Sequence, residues 1–490
     1  MVTKAEHADQ AKLSKSAQNL PLMGISELSR SLGARHISFL PDNGFYSVSI
    51  DSRSVKEGAL FFALSGSRND GHCFVDAAFG AGAAAAVVES SKIESYNLVS
   101  LAQKMEKDLI IVENTLKSLQ DSARIYLEKF PTLLKIGITG SSGKTTTKEI
   151  ASAIISCEKN VIKNEGNLNS ETGLPLSVFQ VRACHEVGIF ELGMNRQDEI
   201  LEIAEVLKPN IALVTNIGSA HIEFFGSKEK IVNEKKCIYK FLKGGDIALI
   251  PANDEYAMML VQGISANIKY YSVKNFKEFE GVRNLGLDGT EIIWAGDNIH
   301  FNLPGKHNLD DAMAAIAIAK EIPVSGKSIK KGLESVQPLF GRLEVLSGRT
   351  TVVRDCYNAS PESTAKSIEF CDSLEWPGRK VYVIADMLEL GKNSVSEHQK
   401  LAFLLSVSQA KMIYLFGKET EAAASCLEEN KRSFFHSCDI AELSAAIDCF
   451  VRRGDLVLLK GSRGCALERL TEMLTMQKNE EGSAEVYNVL

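Results

Sequence analysis

Short apolar runs alternate with longer amphipathic stretches along most of the chain. Leu133 to Ile138, Val187 to Phe190, Ile211 to Thr215 and Ile247 to Ile250 are nearly uninterrupted in their hydrophobicity. Runs of this kind suit strands buried on both faces, as in a parallel sheet flanked by helices. An Ala-rich helical stretch from Pro304 to Lys320 closes that region. The alternation resumes further on, with Val381 to Ile384, Met412 to Phe416 and Leu456 to Leu459 as buried parallel strands. Earlier in the chain, Tyr46 to Ile50, Ala59 to Leu64 and Ala84 to Val88 read as strands, followed by a helical pattern from Leu116 to Phe130. Pro131 stops that helix, and Pro338 with Gly341 marks a second break.

The pattern predicts an α/β protein of three domains. They are an N-terminal α/β domain over 21–131, a central domain with a mainly parallel sheet over 132–338, and a C-terminal Rossmann-like domain over 339–490. Residues 1–20 are polar and read as a flexible extension, and the composition turns tail-like from Gln477 onward. In doubly wound sheets, ligands bind at the carboxyl ends of the strands, so chemistry is sought there.

Composition narrows the class. The 490 residues are 45% hydrophobic and 24% charged, which fits a soluble globular chain and excludes a fibrous or disordered one. At about 150 residues per domain the length agrees with three units. A net charge of −7 argues against a nucleic-acid protein. No apolar run approaches the ~18 residues that a bilayer span requires, and the first residues lack a secretory signal's apolar stretch. The 10 cysteines show no C-x-x-C pair, which suits reduced thiols in a cytoplasmic protein.

The strongest local signal is Thr139-Gly140-Ser141-Ser142-Gly143-Lys144-Thr145-Thr146, which follows an apolar strand and opens a helix. Glycines let backbone N–H groups curl around phosphate oxygens, and the helix adds its positive end. Lys144 supplies a point charge for the β- and γ-phosphates, and the Thr145 hydroxyl can ligate Mg²⁺. The full G-x-x-x-x-G-K-[ST] pattern is shortened, since Ile138 stands where its first glycine would be. The spacing still predicts a nucleoside triphosphate site of the P-loop type. Two more strand ends of the same unit carry candidate metal ligands: Glu191 after Phe190, and His221 in the loop after Thr215. Phosphoryl transfer needs metal ions to neutralise charge on the transferring oxygens.

With these residues in hand, the chain resembles the Mur ligase superfamily, whose members join an amino acid or dipeptide to a carboxylate using ATP. The phosphate loop carries the likeness, as do Asn167 to Pro175, Glu191 to Asn195, Asn216 to His221, Pro304 to Asn308 and Gly341 to Glu344. Asp51 to Val55, Asn69 to His72, Asp355 to Pro361, Ala385 to Gly391 and Lys460 to Gly464 are similar to the branch that adds D-alanyl-D-alanine. Ser170, Ser360 and Ala385 depart from that branch's usual residues.

The resemblance implies that ATP phosphorylates the carboxylate of UDP-N-acetylmuramoyl-tripeptide, and that the amine of D-alanyl-D-alanine then attacks the acyl phosphate. The N-terminal domain would bind the UDP-substrate through Ser52, Arg53, Asp70, Gly71 and His72, with Asn167, Asn169 and Thr172 meeting it from the central domain. Asn308, Arg342 and Asp355 would contact the nucleoside, and Tyr357, Asn358, Lys460 and Arg463 the substrates in a closed site. Lys144, Glu191, His221 and Lys235 would be catalytic. Lys235 would be a carbamate and a metal ligand beside Thr145, Glu191 and His221; it is preferred to Lys236 because Ile238 matches the family's apolar residue three places on. Mg²⁺ is the implied metal, and the protein is expected to be a cytoplasmic monomer. Another ligase of the family, adding the third peptide residue or polyglutamate, is the nearest alternative, and a nucleotide-switch protein a more distant one.

Overall fold

The structure is a computed structural model that describes residues 20–476 except 40, 42, 67 and 68. The polar first residues and the tail from Gln477 therefore lie outside the described residues. Three α/β sheets are present, and each apolar run singled out above forms one of their strands.

The first sheet has five strands, ordered Arg35–Ile37, Asp108–Val112, Ala85–Glu89, Ala59–Phe62 and Ser47–Ser49. All pair in parallel except the edge strand Arg35–Ile37. Helix Thr115–Leu127 then begins at Asn114, whose side chain accepts from the Lys117 N–H at 2.8 Å and caps the helix start. Its apolar face does not stay within the first unit. Leu119, Ala123 and Tyr126 share one core with Phe62 and Val87 on one side and Val178, Phe179 and Ile203 on the other. The N-terminal and central units are thus joined by a common apolar interior, which resists their separation.

The central sheet has six strands, all parallel, ordered Asn267–Tyr271, Ile247–Pro251, Ile211–Val214, Leu134–Thr139, Val187–Glu191 and Val161–Lys163. The strand order reverses at Leu134–Thr139, so its two neighbours diverge beyond its carboxyl end and leave a crevice there. Helix Lys144–Ile155 leaves from that crevice and packs on Lys306–Lys320 and Gly326–Ser335. A small antiparallel sheet of Phe279–Asn284, Thr290–Trp294 and Asp297–Phe301 is appended, which the sequence reading did not anticipate. Its strands alternate in burial and present one apolar face to the core, a weaker signal than a continuous run.

The C-terminal sheet also has six strands, ordered Glu344–Ser347, Thr351–Asp355, Leu456–Lys460, Lys380–Ala385, Met412–Phe416 and Phe434–Ser437. Only the edge strand Glu344–Ser347 is antiparallel to its neighbour. The carboxyl ends of Thr351–Asp355 and Leu456–Lys460 contribute Asp355 and Lys460 to the same cleft that the central crevice opens into.

Candidate functional site

A cleft of about 460 Å³ lies between the central and C-terminal units. Its floor is the turn Gly140 to Thr145. Gly140 has φ +154 and Gly143 φ +78, and a Cβ on Gly140 would fall 1.8 Å from Thr215 Oγ1 while one on Gly143 would fall 2.0 Å from Asp311 Oδ1. Only glycine gives the backbone that path in that space. The turn is held from beside it: Ser141 N–H donates to the Asn216 carbonyl at 3.0 Å, and Ser142 N–H to the Asn216 side chain at 3.1 Å.

Lys144 is the first residue of helix Lys144–Ile155, and its Nζ donates to the Gly140 carbonyl at 2.9 Å. The side chain is folded back into the floor of the cleft and does not project from the loop. Burial lowers its ammonium pKa, and nearby Arg342 adds to that. Thr145 Oγ1 donates to Glu191 Oε2 at 2.8 Å, and Asn169 Nδ2 donates to Glu191 Oε1 at 2.7 Å. The Glu191 backbone N–H donates to Asn164 Oδ1 at 2.9 Å, so strand end and carboxylate are both fixed. Asn164 was not anticipated, because a lone Asn after a short strand carries no spacing signal.

Lys235 is 1% exposed, and its Nζ donates to the same Gly140 carbonyl, at 3.0 Å. Two lysine ammonium groups thus converge on one backbone oxygen. Burial and the neighbouring Lys144 together push the Lys235 pKa well below its ordinary value, against the opposing pull of Glu234. Helix Lys228–Lys236 turns successive side chains about 100° apart, so Lys235 faces inward while Lys236 remains partly exposed.

His221 has φ +65, and its Nδ1 lies 2.7 Å from Glu389 Oε2, though not aligned for a hydrogen bond. Glu389 belongs to the C-terminal unit, and its pKa is lowered chiefly by the histidine. The C-terminal unit reaches further in through Arg342, which donates to Thr145 Oγ1 at 3.0 Å and stacks on Tyr357 at 4.3 Å. Lys460 is 2% exposed, lies 2.8 Å from Asp355 and donates to the Asn358 carbonyl at 2.9 Å. Burial works to raise the Asp355 carboxyl, but Lys460 and the Ser367 hydroxyl outweigh it and keep it below the usual range. Asn308 lines the cleft at the start of its helix, with Asp311 beyond it. Burial and Asp310 push the Asp311 carboxyl well upward, which favours its neutral form. Its spacing of three from Asn308, on one helix face, was the available signal for it.

Of the residues named from sequence, Ser141, Ser142, Gly143, Lys144, Thr145, Thr146, Asn169, Glu191, His221, Asn308, Arg342, Asp355, Tyr357, Asn358 and Lys460 line this cleft. Thr139 is buried below the loop, where its hydroxyl donates to the Leu192 carbonyl. Asn167 is exposed outside the cleft lining, and Thr172 shares a hydrogen bond with Ser170. Arg463 pairs with Glu468 and lies over the Phe340 ring, away from the cleft. Ser52, Arg53, Asp70, Gly71 and His72 belong to the first unit and not to this cleft. Arg53 is exposed and paired with Asp51 at 2.7 Å. His72 is 1% exposed: its Nδ1 meets Asp70 at 2.6 Å, and its Nε2 accepts from the Glu89 N–H at 2.9 Å. Both ring nitrogens are therefore used inside the domain, and the imidazole fixes the loop that carries Asp70 and Gly71.

Glu191 and Thr145 supply hard oxygen donors at a phosphate loop. That suits Mg²⁺, which takes one or two protein oxygens and fills its shell with phosphate and water. Among the described residues no group of three or more His, Cys, Asp and Glu side chains forms a protein cage for a metal, so the fit depends on a bound triphosphate.

The sequence matches the Mur ligase middle domain over residues 138–319, the Mur ligase glutamate ligase domain over 341–463, and the Mur ligase catalytic domain over 44–125. It is 39% identical to a UDP-N-acetylmuramoyl-tripeptide–D-alanyl-D-alanine ligase of Treponema pallidum, covering 91% of this chain and 97% of that protein. The chain belongs to the Mur ligase family. A ligase of the same name from Bacillus subtilis is 33% identical over 88% of this chain and 93% of its own length. Among solved Mur ligases, MurF from Acinetobacter baumannii superposes with TM-score 0.83 at 27% identity, covering 93% of this chain and all of that one. MurF from Thermotoga maritima in complex with ADP gives 0.74 at 29% identity, over 88% of this chain and 97% of that chain.

Proposed function

We propose that this Mur ligase uses ATP to join D-alanyl-D-alanine to UDP-N-acetylmuramoyl-tripeptide. Its full-length relatives bear that activity in their names, at up to 39% identity. The observation that carries the reading is the cleft itself. A phosphate loop faces Glu191, and Arg342 of the C-terminal unit bonds to Thr145 of that loop at 3.0 Å.

The triphosphate lies along the amides of Ser141 to Thr145, with Lys144 on its charge. Glu191 and the Thr145 hydroxyl would hold Mg²⁺, which would neutralise phosphate charge. A carboxylate oxygen of the tripeptide attacks the γ-phosphorus, the bond to the β-phosphate oxygen breaks, and ADP leaves. The dipeptide amine adds to the carbonyl carbon of the resulting acyl phosphate; the tetrahedral intermediate expels phosphate, and the amine proton is released. Positioning and charge stabilisation supply most of the acceleration in such a transfer. The roof formed by Arg342, Tyr357 and Asn358 excludes water that would hydrolyse the acyl phosphate.

Lys235 acts as a carbamate in this reading. Its neutral amine adds to CO₂, forming an N–C bond and releasing one proton, and the product carries a negative charge toward the loop. Burial and Lys144 favour that neutral amine. The first unit binds the uridine nucleotide through the loop of Asp70 and Gly71 and through Ser52 and Arg53. The protein works as a cytoplasmic monomer; no helix among the described residues is long and apolar enough to cross a membrane.

The test is a product assay with ATP, UDP-N-acetylmuramoyl-tripeptide and D-alanyl-D-alanine, read by mass. A pentapeptide product formed with one phosphate per ligation is expected. Product with a single amino acid and none with the dipeptide would overturn the assignment.

A further inference from the structure

Helix Pro361–Ser373 of the C-terminal unit carries Glu362 in its first turn, and that carboxylate reaches the loop that precedes His221. Glu362 Oε1 accepts from the Ser219 N–H at 3.0 Å and from the Ser219 hydroxyl at 2.6 Å, and Lys228 Nζ approaches it at 3.3 Å. Its Oε2 is buried without a hydrogen-bond partner. The neighbour of that contact is Gly218, which is bonded to the phosphate loop. Gly218 N–H donates to Ser141 Oγ at 2.8 Å, and Ser141 Oγ is 3.2 Å from the Gly218 carbonyl. A Cβ on Gly218 would lie 3.4 Å from Glu362 and 3.4 Å from Ser141 Cβ, so Gly218 sits against both. One loop residue thus separates a carboxylate of the C-terminal unit from the triphosphate-binding turn.

We propose that Glu362 is a positioning residue that couples closure of the C-terminal unit to the phosphate loop, through Ser219, Gly218 and Ser141. When the unit closes, Glu362 takes hold of Ser219, and the strip from Asn216 to His221 is braced on both sides. Ser141 and Ser142 hold it on one side, and Glu362 holds it on the other. Without Glu362 the strip keeps its phosphate-loop bonds and the bond from the Ile217 N–H to Asp254 at 2.8 Å, and Ser219 loses its outer support. The ligase reading underlies this proposal, and wild-type product formation in the same assay tests that reading separately.

Three variants distinguish the coupling from a local effect on the helix. Glu362→Ala removes the carboxylate. Glu362→Asp keeps a charge at the helix start, where it favours the dipole, but is one methylene too short to reach Ser219. Glu362→Gln keeps an oxygen that accepts from both Ser219 donors. Hydrogen bonds to charged groups support a loss of about tenfold to a hundredfold in kcat for Ala and Asp. KM for ATP should stay within about threefold of wild type, because the loop amides and Lys144 are untouched. Gln should remain within about threefold of wild-type kcat. Small-angle scattering with an ATP analogue and UDP-tripeptide should show compaction in wild type and Gln, and reduced compaction in Ala and Asp. Asp matching wild type would make the helix-end charge the relevant feature and overturn the proposal. So would Gln as slow as Ala, or Ala with wild-type kcat. Ser219→Ala combined with Glu362→Ala should be no slower than Glu362→Ala alone; additive losses would mean that the two residues act independently.

Discussion

Replacing Lys144 by methionine separates its role in catalysis from any role in holding the fold. The fold needs little from this ammonium. Its one hydrogen bond goes to the Gly140 carbonyl, and Lys235 donates to that same oxygen at 3.0 Å. Burial moreover disfavours its charge. Lys144→Met should therefore leave the apo melting midpoint unchanged or raised. With the triphosphate bound, a unit charge about 4 Å from a phosphate oxygen is worth about 4 kcal/mol at an effective dielectric near 20. That corresponds to a loss of roughly a thousandfold in turnover. The assay is steady-state phosphate release with both peptide substrates, checked by product mass, alongside a thermal melt. A variant that keeps more than about a tenth of wild-type turnover, or ~1.4 kcal/mol in barrier, would refute the phosphate role. A collapsed melt with equally lost activity would refute the claim that the fold does not need the charge.

Lys235→Ala should be nearly inactive and regain activity with added short carboxylates, while Lys236→Ala stays close to wild type; full activity in both would remove the carbamate. Gly332→Ala should destabilise the central unit, because its Cβ would fall 2.4 Å from Ile154 Cα and the two helices would have to part. Overpacking of that kind costs about 1–3 kcal/mol, readable by denaturant melts, and an unchanged midpoint would contradict it. His307 has its pKa lowered to about 4, chiefly by burial. The unfolded chain then binds more protons between about pH 6.5 and 4, so stability from this group is intact above 6.5 and lost as pH falls. His307→Gln should flatten that part of the stability curve relative to wild type, and parallel curves would exclude the histidine.

Much of the fold was legible because parallel strands buried on both faces must be apolar throughout. Val187 to Phe190, Ile211 to Thr215 and Leu456 to Leu459 each became a central strand. The phosphate loop was legible for a related reason: its chemistry is carried by backbone, glycines and neighbours within a few residues. Its two glycines proved to be required by Thr215 and Asp311, which no local spacing reveals. The antiparallel strands of 279–301 escaped notice because they bury only one face.

Side chains that act across the cleft were a different matter. Lys235 and Lys236 are alike in sequence; only the packing of helix Lys228–Lys236 turns the first toward Gly140 and leaves the second partly exposed. His72 looked like a ligand and is consumed by Asp70 and Glu89, whereas Glu362, unremarked in the chain, reaches Ser219. The residues of such contacts lie far apart along the chain; Glu362 and Ser219 are 143 positions apart. Periodicity and local spacing register what neighbours within one element must do. Which distant polar groups meet depends on how three sheets pack, so the tertiary structure alone decided it.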